Sequence, residues 1–264
     1  MKFYCIPPNK HLYLMNEGSD NYFCLAHHYM NNKEYRDYFL SLRKEKPTSW
    51  LLLDNGAAEH SLVTEKDLID IVIELKPNEV IAPDVLFNRF HTLNNFRSFV
   101  SKMEDQNLLT HTSLFACPQG TTKYEWLECY VAMSACPYVN CIGLSKIAVP
   151  KCWNNATNDT MIGLSRNQCV SELLSKNLLK KPLHLLGMGE HNEFDYYLNN
   201  KIKGIRSSDS CYTVLAAINN IDFEKGILNR IPTTNEYFEV ELNSHQETLA
   251  KKNINYLKQK YKDV

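Results

Sequence analysis

No stretch of eighteen apolar residues occurs in the chain, which excludes an ordinary membrane-spanning helix. The opening Met1-Lys2-Phe3-Tyr4-Cys5-Ile6-Pro7-Pro8 lacks the apolar core and small-residue cleavage site of a signal peptide, so a cytoplasmic protein with no membrane partner is expected. No C-x-x-C pair is present. The nine cysteines are odd in number and scattered singly, which suits a reducing compartment where thiols are buried as small hydrophobes. Cys136, Cys141 and Cys152 come nearest to a metal cluster, but their spacing matches no zinc module and no paired histidine follows, so no metal is expected. Neither G-x-G-x-x-G nor G-x-x-x-x-G-K-[ST] appears, and Gly187-Met188-Gly189 is the nearest fragment; a nucleotide-binding phosphate loop is thereby excluded.

A basic excess is lacking too. The net charge of −1 argues against a protein that coats nucleic acid by bulk attraction. The charge is uneven, with 16 Lys+Arg against 13 Asp+Glu over residues 142–264 and 13 against 17 over residues 1–141. Lys251, Lys252, Lys258, Lys260 and Lys262 near the end supply either a modest basic face or a solvated helix.

What is present is a repeat. In a chain of 264 residues with 44% apolar content, enough to bury a large core, a short apolar run is followed again and again by a loop and a stretch with helical spacing. The runs are Tyr22–Ala26, Trp50–Leu53, Val80–Ala82, Ser113–Ala116, Val139–Ile142, Leu183–Leu186 and Gly204–Ile205. They are short and continuously apolar, as the buried strands of a parallel sheet are. The helical stretches run from Lys33 to Lys44, Thr64 to Leu75, Arg89 to Met103, Lys123 to Ala135, Arg166 to Leu179, Glu193 to Asn199 and Cys211 to Ile218. Thr64 followed by Asp67 is a capping-box-like start. Tyr237–Leu242, with a closing helix from about His245 to Tyr261, supplies an eighth unit. Eight strand–helix steps over residues 1–264 indicate a single-domain α/β protein, a compact (β/α)8 TIM barrel. An open doubly wound sheet is the alternative. The longest loops, about Lys146 to Asp159 and Asn219 to Glu236, are placed to cover a site.

In such a barrel the chemistry collects at the carboxyl ends of the strands. The runs are followed there by Asp54-Asn55-Gly56, Pro83-Asp84, Cys117-Pro118-Gln119-Gly120, Gly143-Leu144-Ser145, Gly187-Met188-Gly189 and Ser207-Ser208-Asp209. Each has a plainer reading taken alone, since an aspartate after a strand commonly caps the next helix and a glycine commonly serves a turn. Six successive strand ends carrying such residues point to one shared mouth.

The order Asp-x-Gly, Asp, Gln-Gly, Gly-Leu, Leu-x-Gly-x-Gly, then Gly-Ile-x-x-x-Asp resembles the tRNA-guanine transglycosylase superfamily over about residues 50 to 211. The resemblance implies that Asp209 is the nucleophile. Asp54 would then move the proton, Asp84 would read the guanine edge, and Gln119 with Gly120 would contact the opposite edge. Gly143 and Leu144 would meet the 7-substituent or carbonyl through their backbone, and Leu186 with Gly187 would pack on the base. Two features depart from the pattern. The aromatic residue that stacks on the base is matched by Ala58 or has no counterpart, and the zinc-binding cysteine cluster is missing, Cys211 being the only cysteine after Asp209. A shortened, zinc-free relative looks like the phage branch that exchanges guanine in DNA for a 7-deazaguanine such as 7-cyano-7-deazaguanine (preQ0). DNA and the free 7-deazaguanine base are then the expected partners, a host cytoplasm the expected location, and no cofactor is expected. The same chemistry on tRNA, a non-catalytic nucleic-acid-binding barrel, and a glycoside hydrolase using Asp54 and Asp209 are the competing readings.

Overall fold

The computed structural model describes residues 1–18, 20–57, 63–156, 161–190, 193–226 and 235–263. Its eight strands are β1 (Lys2–Cys5), β2 (Asn21–Leu25), β3 (Trp50–Asp54), β4 (Glu79–Ile81), β5 (Ser113–Ala116), β6 (Val139–Ser145), β7 (Leu183–Leu186) and β8 (Ile205–Ser210). All recorded pairings are parallel, in the order β1-β8-β7-β6-β5-β4-β3-β2, and β1 and β2 contact each other at the seam to bring the sheet round to a nearly closed barrel. Eleven helices accompany them among the described residues: α1 (Met15–Gly18), α2 (Ala26–Asn31), α3 (Lys33–Glu45), α4 (Glu65–Leu75), α5 (Arg89–Asp105), α6 (Lys123–Ser134), α7 (Ala148–Asn154), α8 (Ile162–Ser175), α9 (Glu193–Asn199), α10 (Tyr212–Ile218) and α11 (Ser244–Lys260). This is a single (β/α)8 TIM barrel, with parallel strands inside and helices outside.

Sequence dictates these elements in ordinary ways. Leu51, Leu52 and Leu53 of β3, and Leu114, Phe115 and Ala116 of β5, have no exposed surface, because both faces of a barrel strand are covered. The α4 start is a true capping box, with the Asp67 N–H donating to Thr64 Oγ1 at 3.2 Å and the Thr64 N–H to Asp67 Oδ2 at 3.0 Å. Asn32, Asn88 and Thr122 cap α3, α5 and α6 with their side chains. Pro150 lies in the first turn of α7, where a missing N–H costs little, so a segment expected as loop after Lys146 is helical.

Two expectations are corrected. The eighth strand is not Tyr237–Leu242 but β1 at the start of the chain; Asn235–Glu239 instead forms a short 3-10 helix, and the buried Tyr237 hydroxyl donates to the Ile6 carbonyl at 2.6 Å. The alternation there comes from packing against the β1 exit rather than from a strand. Strand β8 runs past Ile205 to Ser210, because its hydroxyl groups are satisfied inside the barrel: Ser208 Oγ donates to the Leu185 carbonyl and Ser210 Oγ to the Met188 carbonyl, each at 2.8 Å. Of the α11 lysines, Lys251 pairs with Glu17, Lys252 with Asp222 and Glu224, and Lys260 with Asp195, which favours the solvated-helix reading for these three, while Lys258 is exposed. No described helix is long and apolar enough to cross a membrane.

At the amino-terminal end of the barrel Arg206 of β8 reaches Glu79 of β4 with two hydrogen bonds, 3.0 and 2.6 Å long, and Glu79 is fully buried. The pair ties strands on opposite sides of the barrel.

Candidate functional site

The carboxyl ends of the strands surround a cleft that opens to solvent. Asp54, Asp84, Gln119, Leu186, Gly187 and Asp209, all expected site residues, line it together. Gly120, Gly143 and Leu144 do not. A Cβ on Gly120 would come within 2.7 Å of the Trp126 nitrogen, so this glycine lets the first turn of α6 approach. A Cβ on Gly143 would fall 2.5 Å from Phe115 Cε1 and 2.6 Å from Leu186 Cδ1, so its role is to seat Leu186 at the cavity. Leu144 is fully buried, and its carbonyl is taken by Arg166. Ala58 lies outside the described residues.

Asp209 is not a helix cap. It lies within β8, its Cα opposite Tyr4, and the N-cap residue of α10 is Cys211, which makes no side-chain cap. One carboxylate oxygen, Oδ1, takes two donors: His184 Nε2 at 2.8 Å and the Gly187 N–H at 3.0 Å. Oδ2 takes no hydrogen bond from a described residue and belongs to a side chain that lines the cavity. Burial, opposed by Asp209, holds the His184 imidazole below its ordinary range, so the ring is neutral at neutral pH. A neutral ring has one N–H. With that proton on Nε2, the ring donates to Asp209 Oδ1, and Nδ1 accepts from Ser207 Oγ at 2.7 Å. Arg206 Nε in turn donates to Ser207 Oγ at 3.3 Å, so polar contacts run from the Glu79–Arg206 pair up to Asp209.

Asp84 is held differently. Asn55 Nδ2 donates to its Oδ1 at 2.7 Å and Gln119 Nε2 to its Oδ2 at 2.6 Å. Burial outweighs these donors and pushes the carboxyl up to about 6. The same Gln119 is fully buried, and its Oε1 accepts from the Phe87 N–H at 3.2 Å, so both ends of its amide are committed to the wall. Phe87 sits at φ 62, a left-handed conformation that a bulky residue rarely takes, and the Gln119 contact helps to fix it. Asp54 Oδ2 accepts from the Gly56 N–H at 2.8 Å, with Gly56 at φ 73 making that turn possible. Cys117 shares the wall, but burial and then the Asp84 charge hold its thiol well above its ordinary range, which removes it as a nucleophile.

The supporting residues had little or no signature in the sequence. Arg166 of α8 has no exposed surface; it pairs with Glu193 through Nη2 at 2.6 Å and donates to the carbonyls of Leu144, Leu186 and Gly187. It therefore staples the ends of β6 and β7 where the cavity begins. His184 alternates with the apolar residues of β7, and only the register of β7 on β8 puts it beside Asp209. Among the described residues, no group of three or more His, Cys, Asp or Glu side chains is arranged to hold a metal ion.

No protein-family model matches the chain, and no curated protein matches it in sequence. Solved structures do resemble it in fold. A HpcH/Hpal aldolase/citrate lyase family protein from Burkholderia cenocepacia superposes with a TM-score of 0.52 at 8% identity, over 83% of this chain and 90% of its own. Citrate synthase SbnG gives 0.51 at 14% identity over 83% and 89%, and D-psicose 3-epimerase 0.50 at 9% over 98% and 99%. At these identities the likeness is one of barrel architecture, and function must be argued from the site.

Proposed function

We propose that the protein is a glycosyltransferase that exchanges guanine in DNA for a 7-deazaguanine base, 7-cyano-7-deazaguanine being the type compound. One observation carries the reading: Asp209 has one oxygen doubly held and the other without a hydrogen bond among the described residues, in a cavity that two further strand-end aspartates share. That is the arrangement an attacking carboxylate needs, since the held oxygen fixes the direction of the other.

Asp209 Oδ2 attacks C1′ of the target nucleotide as the N-glycosidic bond breaks, and the departing base keeps the bonding electron pair. A proton from Asp54 neutralises the leaving base. In the second half the incoming base gives its proton to Asp54 and attacks C1′, releasing Asp209. Two displacements at one carbon retain its configuration, as in retaining glycosidases. Asp84, ionised, accepts from the ring N–H and the exocyclic amine that guanine and a 7-deazaguanine share, a paired contact adenine does not offer. Gln119 acts on this step through Asp84, fixing the carboxylate rather than touching the opposite edge of the base. The target must be unpaired or flipped out, at roughly a few kcal/mol in a duplex. The choice of DNA over tRNA follows the family resemblance and the lack of a cysteine cluster after Cys211.

The test is incubation with labelled guanine or labelled 7-cyano-7-deazaguanine and separate DNA and tRNA pools. Label is expected in DNA. Label in tRNA alone transfers the chemistry to the other substrate, and label in neither pool removes the reading.

A further inference from the structure

With Asp54 carrying the proton it gives to the base, Asp209 and Asp84 still disfavour a phosphodiester at this cavity, yet a nucleic-acid substrate must bring one to within a sugar's width of Asp209. Some cation has to meet it. Lys146, just beyond β6, lines the same cavity, is half-buried, and makes no hydrogen bond or ion pair with any described residue.

Its position is built. The Lys146 side chain lies across Gly187, where an added Cβ would fall 2.5 Å from Lys146 Cδ and 3.2 Å from its Nζ. Gly187 at φ 67 therefore does two things: its N–H holds Asp209 Oδ1, and its missing side chain leaves the path for the Lys146 stem. Arg166 fixes this turn from below through the Gly187 carbonyl. An unpaired ammonium is thus kept against the very residue that orients the attacking carboxylate.

We infer that Lys146 is a phosphate-binding residue, holding the backbone phosphate next to the nucleotide whose C1′ faces Asp209. The inference rests on the base-exchange reading for the presence of a sugar at Asp209. It adds the residue that meets the phosphodiester, a contact that a free nucleoside or a neutral glycoside would not make. An ammonium acts on phosphate as a point charge, so arginine is expected to substitute for it in part.

The test uses the full chain and a single-stranded, guanine-containing DNA oligonucleotide, with binding read by fluorescence anisotropy over a range of salt. Lys146→Met is expected to weaken binding roughly tenfold at low salt and to reduce the salt slope by about 0.7, one phosphate contact on a single strand. Lys146→Arg should restore most of both. Binding of free 7-cyano-7-deazaguanine, measured calorimetrically, should not change in either variant. An unchanged salt slope in Lys146→Met overturns the inference, as does a fall in free-base affinity, which would put Lys146 on the base. The two readings fail separately. Base exchange with an unchanged slope removes the phosphate site alone, whereas a lost contact in a protein that never exchanges bases removes the exchange alone.

Discussion

His184 Nε2 lies 2.8 Å from Asp209 Oδ1, inside the barrel and between adjacent strands, with Ser207 on the other ring nitrogen. Phe115 meets the ring edge-on at 5.3 Å and Tyr4 lies tilted against it at 5.8 Å, so the imidazole is held from two sides. A neutral histidine locked this way positions the carboxylate without supplying a proton. His184→Ala should lower the rate of base exchange by about 10²-fold, the scale for losing one preorganised donor, with little change in the apparent affinity for free base. His184→Gln can still offer a donor to Oδ1 and should recover part of the rate. Steady-state kinetics with circular dichroism as a folding control separates these outcomes; an equal loss in both variants would assign the ring to packing alone.

Asp84 titrates near neutrality, and its two consequences have opposite signs. For stability, a carboxyl raised from its ordinary value to about 6 favours the protonated folded state. That contribution is complete below the unfolded pKa and is lost as pH rises through 6, on the order of 3 kcal/mol. For binding, the proposed base contact needs the ionised form, so affinity for free base should fall towards tenfold per pH unit below about 6. Asp84→Asn should bind base weakly and lose most of that pH dependence. Calorimetric titrations of 7-cyano-7-deazaguanine between pH 5 and 8, on the order of tenfold steps, check the sign; rising affinity at low pH contradicts the assignment.

The barrel was legible because short apolar runs and amphipathic stretches have different periods, and Thr64 with Asp67 even marks a helix start. Strand β1 was not, because four residues ending shortly before Pro7-Pro8 give no period to read. The hydroxyl-rich half of β8 was hidden for a related reason: Ser207, Ser208 and Ser210 look like loop until the β7 partners that satisfy them are in place. Of the site, the three aspartates and Gln119 were visible as strand-end residues. His184 and Arg166 were not, since each becomes functional only through contacts more than eighteen residues away, with Asp209 and with the ends of β6 and β7. Glycine was the least informative signal, since Gly120 and Gly143 serve packing and Gly187 serves the site.

Glu79 and Arg206 give a stability prediction independent of any activity. Glu79 is fully buried and Arg206 is its bidentate partner, so removing the arginine leaves a buried carboxylate without its hydrogen-bonded charge and with only Lys2 acting on it through space. Arg206→Met should cost about 3–5 kcal/mol. A double variant, Glu79→Leu with Arg206→Met, should recover much of the loss, because an apolar pair of similar volume needs no desolvated charge. Chemical denaturation of the three variants decides it. A double variant no more stable than Arg206→Met would mean that the arginine acts through Ser207 or through packing instead.

Asp209→Asn is the most direct test of the nucleophile. Asparagine fills the same volume, and its amide oxygen can still accept from His184 and Gly187, so the local structure should persist. What changes is the unbonded atom, from a carboxylate oxygen with a lone pair to offer to an amide nitrogen without one. Exchange should fall by on the order of 10⁴-fold or more, as loss of a nucleophile does. The covalent enzyme–DNA band on a denaturing gel should vanish, while free-base affinity stays near that of the wild type because Asp84 is untouched. Asp84→Ala should show the reverse pattern, a covalent adduct that still forms with poorer base selection. A covalent band at wild-type level in Asp209→Asn would move the nucleophile to another residue, and Asp54, on the same cavity, would be the one to test next.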